Sequence, residues 1–221
     1  MQISVKILIT IFIFHTLGPS DFQRSEKNDI QQLWLDCKLK GLVDFNIFNT
    51  AVSGYKRIDN LKKKNILTLI DFSKPSTEKR FFVIDLEKKQ LIYRCLVAHG
   101  KNSGDNYAKS FSNTLESLQS SLGFYLTAET YEGDHGYSLR LDGLEKGIND
   151  NARKREIVIH GADYVGEEFI KKYGRIGRSW GCPALPPEIS KEIMTKISGG
   201  SCLFIYADDK NYKTNSVFLN K

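Results

Sequence analysis

The chain has 221 residues, 41% of them hydrophobic and 26% charged, and a net charge of +6. That length supports one substantial core and a small added subdomain, and the composition excludes a disordered chain or a multi-span membrane protein. The positive charge suits a polyanionic partner, but the lysines are scattered apart from Lys62-Lys63-Lys64 and Lys171-Lys172, no nucleic-acid motif accompanies them, and they read as a solvated surface.

In chain order, Lys6 leads into the apolar stretch Ile7 to Phe14 and then a polar segment from Ser20. This is the pattern of a secretory leader over residues 1–22, too short for a comfortable membrane span. No Ala-x-Ala site marks a cleavage point, so membrane contact is expected only if the leader stays uncleaved. Residues 23–64 read as a helical extension. One helical pattern opens at Ser25 and runs through Leu33 and Cys37 to Gly41; a second runs from Phe45 to Leu61 with Phe48, Val52 and Tyr55 on one face.

From residue 65 to 221 the character changes to β. Strands are expected at 66–70, 80–85, 90–98, 123–127, 137–141, 156–160 and 201–206, with a hairpin through Glu87-Lys88-Lys89. Helices are expected around 166–172 and 187–196. Asn102-Ser-Gly-Asp105 and Gly133-Asp-His-Gly136 are turn chemistry, where a β-scaffold carries site loops. The body is therefore expected to be mainly β and mainly antiparallel with a few helices.

Two stretches carry chemistry: Ile157-Val-Ile-His160-Gly161 and Gly177-Arg-Ser-Trp-Gly-Cys-Pro183. A nucleophilic Cys182 needs a polar position with backbone donors facing the attacked carbonyl. Gly181 permits close approach of the backbone and Pro183 stiffens the turn. The amides of Gly181 and Cys182 are candidates for an oxyanion hole. His160, at the end of an apolar strand, has the pKa range to take and return a thiol proton. Ser179 could bond the imidazole or the turn, Arg178 could grip a substrate carboxylate, and Trp180 could wall the cleft. Each has a plainer reading: a buried thiol, a strand-capping histidine, a turn serine, a surface arginine, a core tryptophan.

The histidines 99, 135 and 160 with Cys182 lack the paired spacing of zinc sites, so no metal and no cofactor are expected. His135 is expected to line the same cleft. Of the four cysteines, Cys182 must stay free to react, which leaves at most one bridge among Cys37, Cys95 and Cys202. Cys95 and Cys202 lie in apolar strands, where buried thiols are the rule.

The His160-Gly161 and Ser179-Trp-Gly-Cys182 stretches together resemble the L,D-transpeptidase (YkuD-type) catalytic motif, in the murein L,D-transpeptidase catalytic domain branch. Val97–Gly104, Phe111–Asn113, Ser120–Tyr125 and His135–Leu141 are also similar to that branch. The resemblance implies a β-sandwich or barrel that acts on peptidoglycan stem peptides. Cys182 would form a thioester acyl-enzyme, His160 would be base and acid, and the Gly161 carbonyl would orient the ring. Arg178, Trp180, His135 and Tyr125 are the expected substrate contacts, and the leader implies export to the periplasm or cell wall. Two departures stand out: Trp180 replaces the commoner histidine, and Pro183-Ala-Leu185 replaces the segment that usually carries an arginine. Arg178 would take over that arginine's task, or the substrate differs. Water in place of an amine acceptor would make the same site an L,D-carboxypeptidase; a non-catalytic wall-binding module and a zinc hydrolase are the other readings.

Overall fold

The computed structural model describes residues 19–134 and 136–220; residues 1–18, most of the leader expected over residues 1–22, and His135 lie outside it, and Pro19 already belongs to a helix. Two helices come first, α1 (Pro19–Asp36) and α2 (Phe45–Tyr55). The first stops short of Gly41 because the chain turns at Lys38, whose φ of 56° no helix accommodates. Asp44 opens α2 by accepting from the amides of Asn46 (2.7 Å) and Ile47 (3.4 Å), which satisfies two orphan donors. α2 buries Ile47, Phe48, Ala51, Val52 and Gly54. Gly54 is required there, since a Cβ would fall 2.1 Å from Cζ of Phe124.

The body is one eight-stranded sheet. Its strands are β1 (Ile66–Asp71), β2 (Phe81–Asp85), β3 (Gln90–Cys95), β4 (Gly123–Gly133), β5 (Gly136–Gly143), β6 (Val158–Gly161), β7 (Ala184–Leu185) and β8 (Cys202–Tyr206). Further helices are α3 (Glu167–Tyr173), α4 (Pro187–Ile197) and α5 (Lys210–Asn215), and a 3-10 turn spans Lys101–Ser103. The spatial order is β3-β2-β1-β8-β4-β5-β6-β7. Past β3 the chain reaches the far edge: the Ala98 amide donates to the Ala184 carbonyl at 2.9 Å. The sheet is thus nearly closed on itself, which removes most of its exposed edge. The expected mainly-β fold with a few helices is found.

The sheet is less purely antiparallel than the sequence suggested. β1 runs parallel to β8, and β6 parallel to β7. Strand direction depends on which distant segment arrives as partner, and hydrophobic pattern does not encode it. β1 and β2 are buried at every position, as strands covered on both faces must be. In the core, Phe124 stacks on Phe204 with ring centroids 4.2 Å apart. All four cysteines are free thiols; Cys37, Cys95 and Cys202 are buried. Burial pushes the Cys37 and Cys95 thiols up to about 11 and about 12.

The C-terminal α5 was not expected. It is held by Glu145, a fully buried carboxylate that accepts from the Phe124 amide (2.8 Å), the Tyr212 hydroxyl (3.2 Å) and the Ser216 hydroxyl. Among the described residues, no helix is long and apolar enough to cross a membrane.

Candidate active site

β6 and β7 set the frame. Their parallel register places His160 opposite Ala184 and Gly161 opposite Leu185, and the turn just before β7 carries Cys182. Its thiol lies against the start of β6: Sγ accepts from the Val158 amide at 3.4 Å and donates to the Glu156 carbonyl at 3.6 Å. The thiol thus lies against the start of β6, and the His160 ring is carried two residues further along the same strand. Gly161 must be glycine because α4 crosses it; a Cβ would meet the Ser190 hydroxyl at 2.6 Å.

His160 is 4% exposed, and its Nδ1 lies 3.0 Å from the Gly161 carbonyl oxygen. A carbonyl only accepts, so this bond requires the proton on Nδ1 and leaves the Nε2 lone pair of the neutral ring as the basic site.

The turn itself is tied by Ser179. Its hydroxyl donates to the Cys182 carbonyl at 2.6 Å and accepts from the Gly181 amide at 3.1 Å. Its backbone amide donates to the His99 carbonyl at 3.0 Å. Of the two roles sequence left open for Ser179, bonding the turn is the one observed. The same bond commits the Gly181 amide, expected in an oxyanion hole, to the serine hydroxyl. Gly181 has φ +130°, and a Cβ there would meet the Gln119 carbonyl oxygen at 2.8 Å, so a side chain is excluded twice over.

Sequence reasoning missed Arg155. Its guanidinium lies under the turn, 3.4 Å from where a Gly181 Cβ would stand. It donates to the carbonyls of Ser112 (2.6 Å) and Gln119 (2.6 Å) and to the hydroxyls of Ser121 and Ser117 (both 3.1 Å). It thereby pins the 112–121 segment beside the Cys182 turn. Burial pushes the Cys182 thiol up, the Val158 amide and Arg155 pull it down, and Glu156 opposes them; the net shift is upward. The resting group is the thiol, and it needs a base to react. Nothing local to Lys154-Arg155-Glu156 distinguishes this arginine from a surface charge.

A second unforeseen group lies behind the turn. Arg80 is fully buried; its Nη2 donates to His99 Nδ1 at 2.7 Å and its other bonds go to the carbonyls of Val97 and Lys74. Its charge also stands 4.8 Å over the Phe72 ring. Because arginine only donates, His99 carries its proton on Nε2, which faces the Gly104 carbonyl at 3.3 Å. Burial, then Arg80, push His99 down to about 4. Both nitrogens are engaged, so this ring is structural. Among the described residues, no group of His, Cys, Asp and Glu side chains is arranged to hold a metal ion.

Of the expected substrate contacts, Tyr125 is misplaced. It is fully buried, and its hydroxyl donates to Ser121. It faces inward from β4, and the sequence could not tell which face of that strand meets the core. Arg178 is half-buried and already engaged, by the Gly104 carbonyl and Asp105 at 3.2 Å each. Trp180 is 72% exposed, with Lys101 Nζ 5.8 Å from its ring centroid. His135 lies outside the described residues.

Residues 39–206 match the family model of the L,D-transpeptidase catalytic domain, and the chain belongs to that family. No curated protein sequence matches it. Among solved structures it is similar to an L,D-transpeptidase from Mycobacterium smegmatis, at 13% identity over 65% of this chain and 59% of that one, with TM-score 0.39. L,D-transpeptidase 3 from Mycobacterium tuberculosis gives 10% identity over 65% and 61%, TM-score 0.41. The helical cell shape determining protein Pgp2 from Campylobacter jejuni gives 14% over 71% and 54%, TM-score 0.45. The chain thus spans between 54% and 61% of the length of these three structures.

Proposed function

We propose that this protein is an exported cysteine acyl-transferase that performs L,D-transpeptidation on peptidoglycan stem peptides. Membership of the L,D-transpeptidase catalytic domain family supports the reaction class. The observation that carries the residue assignment is the placement of Cys182 Sγ on the Val158 amide, two residues from a His160 whose Nδ1 faces the Gly161 carbonyl. The apolar leader supports export to the periplasm or cell wall.

In this reading His160 Nε2 takes the Cys182 proton and the thiolate attacks the carbonyl that joins an L-centre to a terminal D-residue. The C–N bond breaks, the departing amine takes the proton from His160, and a thioester remains on Cys182. An amine of a second stem attacks the thioester, gives its proton to His160 and leaves a new amide, with the thiol restored. The developing oxyanion faces the Cys182 amide, while the Gly181 amide stays with Ser179. Water in place of the amine gives the carboxypeptidase outcome.

The test is intact-mass and muropeptide mass spectrometry of the purified chain beside Cys182→Ala. An adduct on the protein, with new dimers or loss of one terminal residue, appearing only with the cysteine present, supports the reading. Dimers and trimmed monomers separate transpeptidation from hydrolysis. A folded wild-type chain that forms no adduct and changes no muropeptide overturns it.

A further inference from the structure

Behind the Cys182 turn, residues 99–103 and the 112–121 segment come together. Gly100 permits the approach. A Cβ there would stand 2.5 Å from the Leu118 carbonyl oxygen, 2.9 Å from the Ser120 amide nitrogen and 2.9 Å from the Gly181 Cα. At this junction lies Ser120, 1% exposed. Its amide donates to the Ser103 hydroxyl at 2.9 Å, and its carbonyl accepts from the Ser112 amide at 3.0 Å. Its hydroxyl accepts from the Gly100 amide at 3.1 Å and donates to the Gly181 carbonyl at 3.0 Å. An amide only donates, so the single hydroxyl proton is left for the Gly181 carbonyl, and the direction of that bond is fixed.

The bond acts through the peptide plane it holds. The Gly181–Cys182 peptide is trans, so its N–H points opposite to its C=O. Anchoring the Gly181 oxygen on Ser120 therefore aims the Cys182 amide away from the buried serine. The preceding peptide is held as well, because the Gly181 amide donates to the Ser179 hydroxyl. Glycine at φ +130° has conformational freedom, and the two hydroxyls on either side of it take that freedom away. Among the described residues, the Cys182 amide donates to no protein group. Of the two amides expected in an oxyanion hole, it is the uncommitted one. A nucleophile's own amide lies beside its side chain, where the oxyanion develops, and a donor aimed in advance costs no reorganisation at that moment.

We infer that Ser120 is a positioning residue for the oxyanion-binding amide of Cys182, acting through the Gly181 carbonyl without touching the substrate. This rests on the acyl-transfer reading above.

The experiment compares two reagents on the purified chain. p-Nitrophenyl acetate acylates a thiol through a tetrahedral oxyanion, whereas iodoacetamide alkylates the same thiol at a saturated carbon and forms none. Rates are read by intact mass, and peptide mapping places each adduct on Cys182. In Ser120→Ala, acylation is expected to fall on the order of tenfold, less than the loss of about 10²–10³ that follows removal of an oxyanion donor outright. Alkylation should keep its wild-type rate and pH profile. Ser120→Cys keeps the side chain's size with a weaker donor and should show a smaller fall in acylation alone; it carries the same test if the alanine variant does not fold. Acylation that does not fall overturns the inference. So does an equal fall in both reactions, which would make Ser120 a general brace of the turn. A wild-type Cys182 that the ester does not acylate overturns the acyl-transfer reading, and the inference with it.

Discussion

Acid should destabilise this protein through His99. The ring is fully buried, accepts from Arg80 at 2.7 Å and is held down to about 4, against 6.5 for the free side chain. A protonated His99 cannot accept that bond, and it would set a second positive charge against Arg80 in the interior, with Arg178 also nearby. Above pH 6.5 the ring is neutral in both folded and unfolded chains and contributes no pH dependence. Between 6.5 and about 4 the unfolded chain binds a proton that the folded chain refuses, so stability falls as pH falls; below about 4 the effect levels off. At about 1.4 kcal/mol per tenfold, that window corresponds to about 3 kcal/mol. Asparagine at position 99 keeps a carbonyl facing Arg80 but does not titrate. Urea unfolding at pH 7 and pH 4 should therefore show wild type losing about 3 kcal/mol more than His99→Asn. An equal loss in both proteins would refute the assignment of a neutral, Arg80-bonded His99. Because the His99 carbonyl accepts the Ser179 amide, Cys182 alkylation should slow in the same acid window in wild type beyond what thiol protonation explains.

Three further outcomes are expected. Arg155→Gln removes a charge that pulls the Cys182 thiol down, so the pH profile of iodoacetamide labelling at Cys182 should move to higher pH; an unmoved profile would separate Arg155 from the thiol. Ser179→Ala deletes the bonds to the Gly181 amide and the Cys182 carbonyl and should lower stability by about 1–3 kcal/mol, with acyl-enzyme formation slowed more than donor binding in a kcat against KM comparison. Gly181→Ala forces a Cβ to 2.8 Å from the Gln119 carbonyl at φ +130°; thermal unfolding should report a loss of more than about 1 kcal/mol, and acylation should fall with it.

What could be read without coordinates was local. The apolar run Ile66–Ile70 became β1, ending one residue later at Asp71. The helix read over 187–196 became Pro187–Ile197, opened by its proline. The Cys182 turn stood out because glycine, cysteine and proline in sequence have few uses. β7 escaped notice, because two residues show no periodicity and become a strand only when β6 is beside them. α5 escaped because its anchor, Glu145, lies far away in sequence and reads as one more surface acid. The second predicted helix ran on to Leu61, while the chain leaves it after Tyr55.

The sequence by itself determined the β-rich class, the approximate strands and the residue types able to do acyl-transfer chemistry, because side-chain period, turn residues and nucleophile identity are properties of neighbours along the chain. Tertiary structure decided the rest: parallel pairing of β1 with β8 and β6 with β7, the inward face of Tyr125, and the placement of Arg80 and Arg155. An arginine has the same sequence signature on the surface as in the interior; only the carbonyls and hydroxyls that fold around it decide whether its charge faces water or sits behind the Cys182 turn.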